Sequence, residues 1–529
     1  MPVTLPRMKN EDGIRKTQTV TFGGYNHTLG AGDGEIWDMK NMTSDLYPIL
    51  SPRKPRYLAG TLSKPNGFYA HDGLCWVDGT GLYYNGAQVG QVTDSRKTFA
   101  SLGAYIILLP DKVCYNKLTG EFKSLEASWE GTVTLQDGTY AEEEAKANTI
   151  YAPGADWSAV FSVGDAVTIA GCTAHPENNY TPIIREIDGE YLRFYENTFV
   201  IGEGGDQETV TIRRTVPDMD FLVENENRLW GCKGDTIYAS KLGDPFNWNV
   251  FDGVATDSYA VDVGSPGDFT AAFSYLGYPC FFKEEYIYKV YGSKPSNFQV
   301  MSSASLGVEA GSERSLAIAG EILFYLSRVG IVAYSGGIPQ SVSAPLGTQR
   351  FRNGVAGSNG TKYYVSMEDA DGAWHLFVYD TANKLWHRED NTHALNWGWN
   401  GELYCLDEQG NLWVTGNVRE VPEGATEEGQ VESMAEFADF VEYSPNKKGT
   451  SKIQVRVELE PDASLEVDIQ FDSDGQWHRV QILTATTKRS FYLPIVPRRS
   501  DHFRLRFTGR GQWRLYSLVR ENYIGSEHR

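Results

Sequence analysis

Two short acidic runs, FDSDGQW and EDADGAW, set Asp472 beside Asp474 and Asp369 beside Asp371, each pair one residue apart and followed by Gly-x-Trp. Carboxylates grouped in this way could do acid–base work at a glycosidic bond or hold calcium. Glycoside hydrolysis needs two positioned acids whose pKa values are driven apart, and sequence alone does not pair residues from distant strands. The Ser-x-Asp-x-Gly-x-x-Trp spacing of sialidase-type boxes is missed by both runs. A calcium loop would need a bidentate Glu at a fixed offset, and none follows. Both runs therefore read as hairpin turns, in which the short acid bonds its own backbone and Gly takes positive φ.

Other chemistries find even less to work with. His175, His375, His387 and His502 stand singly among strands or turns, with no HExxH pair, so no metal site is expected. Cys75, Cys114, Cys172, Cys232, Cys280 and Cys405 are scattered without metal-ligand or redox spacing, as expected of free thiols in a reducing cytosol. GxSxG, P-loop and GxGxxG motifs in the right context are absent, so neither an enzyme nor a cofactor is expected.

The elements around these residues are strands. The chain has 529 residues, 41% of them hydrophobic, with 30 Tyr, 24 Phe, 13 Trp and 54 Gly, a composition of short strands and tight turns. Its length implies more than one domain. The N-terminal MPVTLPRMKNEDG has no apolar core of a secretory signal, and no run approaches a membrane span. Segments 68–90, 99–123, 225–249, 271–292, 315–338, 354–388 and 393–417 share one grammar: an apolar run, a Gly/Asp/Asn turn, an aromatic run, another turn and a closing strand. Each is the size of one propeller blade. In NENRLWGCKGDTIYASKLGDPFNWN (225–249), Gly234 and Asp235 make a hairpin, Trp230 and Tyr238 pack a blade, and GDPFNWN returns the chain to the next one.

Two regions break the rhythm. Residues 128–216 read as a small β-barrel inserted between blades, with a helical-looking piece, YAEEEAKAN, near its start. Beyond residue 418, Ile453/Val455/Val457/Leu459, Leu465/Val467/Ile469/Phe471 and Phe503/Leu505/Phe507 alternate with polar residues, the pattern of a half-buried antiparallel sandwich. The expected fold is all-β: an N-terminal strap (1–60), blades (61–127), an inserted barrel (128–216), blades (217–417) and a C-terminal sandwich (418–529).

The net charge of −21 argues against an embrace of nucleic acid. One stretch runs the other way: Lys488, Arg489, Arg498, Arg499, Arg504, Arg506, Arg510, Arg514 and Arg520 face the single acid Asp501. Arg498, Arg499, Arg504, Arg506, Arg510 and Arg514 are candidates for docking a partner or another copy, the alternative being a solvated sheet face.

The run NRLWGCKGDTIYASKLGDPFNWN resembles a segment of bacteriophage and prophage tail proteins. GDGEIWDMKNMTSDLYPILSPRKPR, with Asn41, Met42, Tyr47, Pro48, Leu50 and Arg53, is similar to the start of such chains, and KRSFYLPIVPRRSDHFRLRFTGRGQWRLYSLVRE to their C-terminal module. The resemblance implies a β-propeller nozzle or hub protein of a short-tailed phage, a virion component assembled in the host cytoplasm. Implied partners are copies of itself in a ring, with a hexamer among the open stoichiometries, the portal, adaptor and other tail proteins, and DNA passing without specific binding; no membrane is implied. The rival reading is a carbohydrate-binding propeller, an adhesin or inactive glycosidase. With no ligand spacing in the chain, a strong chelator should leave the melting temperature unchanged; a drop of several degrees would show a metal bound to the native state.

Overall fold

The computed structural model describes residues 14–143, 145–442 and 447–523. MPVTLPRMKNEDG and Glu144 lie outside the described residues. The fold is all-β, with antiparallel sheets and short 3-10 turns. The chain divides into two units, one of Met1–Leu62 with Arg314–Arg529 and the other of Ser63–Glu313.

In the second unit four sheets, spanning 65–91, 98–124, 221–262 and 271–304, each have four strands in chain order. Their runs form strands because apolar and aromatic residues alternate between two buried faces. In the sheet of 221–262, Trp230, Cys232 and Ile237 are buried against Phe281 and Tyr288 of the next sheet and Phe269 just before it. The first strands of successive sheets are neighbours, Thr98–Leu102 beside Phe221–Asn225 and that beside Ala271–Tyr275.

Between the second and third of these sheets lies a six-stranded sheet built from residues 127–214. Its two edges hydrogen-bond to one another: Val167 N donates to Pro182 O at 3.0 Å, Ile169 N to Tyr180 O at 2.9 Å and Ile184 N to Asp165 O at 2.9 Å. The sheet thus closes into a barrel around Trp157, Val133, Leu135, Ile150, Ile184 and Ile212. The described residues of YAEEEAKAN are not helical. The segment links the strands Ala127–Thr139 and Lys146–Tyr151, and Ala147 and Asn148 already belong to the second. So short a segment cannot offset the cost of helix nucleation, while the hairpin supplies its ladder directly.

The first unit holds two more meanders in chain order, 317–341 and 352–388. A further sheet, 394–415, takes Tyr57–Thr61 and then Thr426–Glu427 onto its last strand. Here too first strands adjoin, Ala317–Ala319 beside Arg352–Ser358 and that beside Ala394–Asn400. Two five-stranded sheets face each other across one core, in which Ile453, Val455, Val457, Leu465, Val467, Leu505 and Phe507 are completely enclosed.

The N-terminal stretch read as a strap threads through these sheets. Ile14–Thr19 pairs with Trp513–Tyr523, Ile36–Lys40 pairs with Glu432–Phe437, and Tyr57–Thr61 pairs with Asn411–Thr415. Polar–apolar alternation reports which face of a strand is buried but not which distant strand it joins, so this lacing leaves no local trace. Arg520 fastens it. Its fully buried guanidinium binds Glu442 Oε1 at 2.6 Å, Asp33 Oδ2 at 2.6 Å and Thr19 Oγ1 at 3.0 Å, above the Phe440 ring. The Glu442 carboxylate is 1% exposed, so Arg520→Ala should leave a buried, uncompensated charge and destabilise the protein by about 3–5 kcal/mol. Denaturant melts of Arg520→Ala and of Arg520→Ala/Glu442→Gln test this; the double variant should recover part of the loss.

Candidate functional site

The six arginines read as a docking stripe lie on or near the strands Phe503–Arg510 and Trp513–Tyr523. Arg504 and Arg506 occupy the outward positions of the first, as alternation requires. Both are paired within the chain, however. Arg504 binds Asp439 and, at 3.4 Å, Glu436, while Arg506 binds the other Glu436 oxygen at 2.8 Å and covers the Trp477 ring at 3.9 Å. Arg514 lies 3.7 Å from Glu458 and Arg498 3.7 Å from Asp474. Arg499 donates to Lys447 O at 3.1 Å, and Arg510 is exposed. The acids that neutralise the stripe come from strands outside the window in which the cations cluster, so the expected free cationic face is corrected to a largely paired one. Removing Arg504 and Arg506 together would strip Glu436, itself 11% exposed, of its partners.

The carboxylate pairs are turns, with one addition. Asp369 Oδ1 accepts from the N–H groups of Asp371 and Ala373, both at 2.9 Å, while Oδ2 meets His375 Nε2 at 2.7 Å and Gln349 Nε2 at 3.0 Å. Burial works against the Asp369 anion, but the His375 contact and the two backbone N–H groups outweigh it and hold its pKa below the usual carboxylate range. With both oxygens engaged by its own surroundings, Asp369 presents no lone pair to a substrate. Asp474 Oδ1 accepts from Gln476 N at 3.0 Å.

The histidines are less solitary than their spacing suggests. His175 lies 3.5 Å from Asp206, His375 pairs with Asp369, and His502 touches Asp501 and, at 2.7 Å, Ser473 Oγ. Asp472, Asp501 and His502 offer ligand atoms within 4.8 Å of one another, the grouping among the described residues with a metal-like donor set. Asp472 Oδ1 already accepts from Asp501 N at 2.8 Å. The cluster joins the end of one strand to the start of another 30 residues on, a closure that local spacing does not report. His387 is the exception: it is 4% exposed, and burial, aided by the nearby Lys362 charge, pushes its pKa down to about 3. All six cysteines are buried and free, and burial raises the Cys75 and Cys114 thiols to about 12, far from the thiolate needed for reaction.

The residues singled out for resemblance rather than chemistry form the densest polar clusters. Arg53 Nε donates to Asn41 Oδ1 at 2.9 Å, and Asn41 Nδ2 donates to Glu432 O at 2.8 Å. Arg53 also binds Glu428 at 2.7 Å, and Arg56 binds Glu389 at 2.7 Å and Asp390 at 2.9 Å. Burial alone would raise the Asp390 pKa, but Arg56 and then the Thr392 hydroxyl and Arg53 lower it to about 2. Met42 and Leu50 pack in the core beside this group.

In the other unit, Arg228 points its guanidinium at a ring of carbonyls, donating to Ser240 O at 2.8 Å, Asp257 O at 2.5 Å and Ala255 O at 2.7 Å. This closes the loop that carries GDPFNWN. From that loop Asn247 Nδ2 donates to Asp165 Oδ1 of the barrel at 3.0 Å, and Ala166 N donates back to Asn247 Oδ1 at 3.0 Å. Arg214 completes the group through Asp165 and lies 5.1 Å from the Phe246 ring. These clusters hold backbone segments together. The exposed aromatic rings able to stack on a sugar include Trp399, Tyr47, Tyr195, Tyr278 and Tyr492.

No family model matches the chain, and no curated protein does. Among solved structures it is similar to PorZ, an essential bacterial surface component of the type-IX secretion system of Porphyromonas gingivalis, at 12% identity over 88% of this chain and 71% of that one, with a TM-score of 0.27. It is also similar to an exo-β-1,3-galactanase from Phanerochaete chrysosporium, at 8% identity over 56% of this chain and 94% of that one, with a TM-score of 0.22. Scores of this size establish no common function.

Stability should respond to pH through His387. Its folded pKa, about 3, lies below the unfolded 6.5, so the unfolded chain binds the extra proton between these values. The His387 contribution is complete above pH 6.5 and is lost as pH falls toward 3, with a slope approaching about 1.4 kcal/mol per pH unit. Urea melts between these limits should show this slope in the parent, and His387→Asn should flatten it.

Proposed function

We propose that the protein is a structural component of a bacteriophage tail, a subunit of a nozzle or hub ring below the portal and adaptor that closes or guides the DNA exit, and that it catalyses no reaction. The observation that carries this reading is the position of four of the six N-terminal residues shared in pattern with tail proteins, the other two, Tyr47 and Pro48, being exposed. Asn41, Met42, Leu50 and Arg53 build or adjoin the buried ion cluster of one unit, and Asp165 of the barrel is held by Asn247 from GDPFNWN in the other. What the chain has in common with that class is therefore framework. A reacting group is not among the shared residues.

The sheets support the same reading. Meanders whose first strands adjoin within each unit suit the blades of a propeller. A ring of chains that each carry a net charge of −21 repels the phosphate backbone, so DNA can slide through its lumen without the grip that a basic wall would exert. Ion clusters buried between distant segments suit a part that must keep its shape during ejection, because each is lost only when its segments separate.

Labelling purified particles with a specific antibody and imaging them tests the assignment. The label should decorate the tail below the portal vertex, and particles made without the protein should lose DNA from the head or lack the tail tip. Fully infectious particles that lack the protein would exclude the role.

A further inference from the structure

The sandwich ends in two open strands. Arg489–Leu493 is the last strand of one sheet and pairs only with Lys448–Leu459, while His478–Leu483 is the last of the other and pairs only with Ser464–Phe471. They are consecutive in the chain, so both unpaired edges belong to one continuous stretch. Residues 478–499 contain five Lys and Arg and no carboxylate. Arg479 is held by Asp468 at 2.6 Å and Glu466 at 2.8 Å, and Arg498 lies near Asp474. Lys488 and Arg489 have no carboxylate partner among the described residues and rest instead over aromatic rings, Tyr516 at 3.6 Å and Phe491 at 5.4 Å.

Exposed cations alone would be ordinary protection of an open edge against strand pairing. Here they alternate with large apolar side chains left in water: Ile482 at 53%, Tyr492 at 68% and Val496 at 82% exposed. A surface of this mixed kind fits a partner that is apolar and acidic. The barrel has that character. Residues 127–214 contain fifteen Asp and Glu against five Lys and Arg, close to half of the whole chain's net charge of −21. Its segment 195–203 sets the exposed Tyr195 and Val200, 54% and 42%, beside the exposed Glu196 and Glu203.

We propose that the sandwich edge docks the barrel of a second copy of the chain, with Lys488, Arg489 and Arg499 meeting Glu196 and Glu203 while Tyr492 and Val496 pack against Tyr195 and Val200. The contact uses different surfaces on the two copies, so it is head-to-tail and extends to a ring when the rotation closes. It rests on the reading of the chain as a ring subunit.

Sedimentation velocity of the purified full chain tests it, together with Lys488→Glu/Arg489→Glu, Glu196→Lys/Glu203→Lys and an equimolar mixture of the two variants. Melting temperature serves as the control for folding. The parent should associate with rising concentration at about 0.1 M salt and dissociate at about 1 M, where the screening length falls from about 10 Å to about 3 Å. Each variant should associate at least about tenfold more weakly, and the mixture should regain the parent's behaviour because opposite charges face each other again. The proposal is overturned if the parent stays monomeric, if either variant associates like the parent, or if mixing restores nothing. Association through another surface would remove this contact while leaving the tail role standing, since that role is judged by the label's position on particles.

Discussion

The structure depends on charge that has been taken out of water. Arg53, Arg56 and Glu389, each about 6–7% exposed at the side chain, sit with Asp390 and Glu428 in a cluster drawn from three separate parts of the chain. Removing such groups from water costs several kcal/mol per ion, and only near-complete pairing offsets it. A misregistered strand would leave at least one of the five unpaired in a low-dielectric interior. The cluster therefore selects a single arrangement of the stretches around residues 53–56, 389–390 and 428, which apolar packing alone would specify less sharply. Arg520 does the same for the sandwich, where Thr19, Asp33 and Glu442 converge on it.

This division of labour determines how much of the molecule was legible in its sequence. Strands were legible because burial follows the period of two: Ile453, Val455, Val457 and Leu459 alternate in sequence and are all buried. Turns were legible where one residue meets its own backbone, as Asp369 does with Asp371 and Ala373. Pairing between distant segments was not. The acids that neutralise Arg504 and Arg506 lie 65 to 70 residues earlier, and Asp33 lies 487 residues from Arg520. A charge count over a window sees nine cations and one acid, whereas a guanidinium responds only to what is within a few ångströms. The helical reading of YAEEEAKAN failed for the opposite reason, since local composition was overruled by the two strands that the segment joins.

The candidate site shows the same pattern. Several residues capable of chemistry are consumed by the geometry, since Asp369 is saturated by its turn and His375, His387 is held neutral in the core and the thiols are buried, whereas Asp472, Asp501 and His502 converge. Asn41 and Arg53 make contacts between segments, a role visible only once the segments are brought together.

The barrel has one further property. Its longest strands, Ala127–Thr139 and Asp206–Arg214, pair with each other from Ala127 opposite Arg214 onward, so the chain enters and leaves it through adjacent positions. Leu125 and Val216, just outside, are both buried in the core of the flanking sheets. In evolutionary terms the barrel is a cassette: it can be exchanged, lost or acquired by splicing at neighbouring points, with no change of register in the sheets on either side.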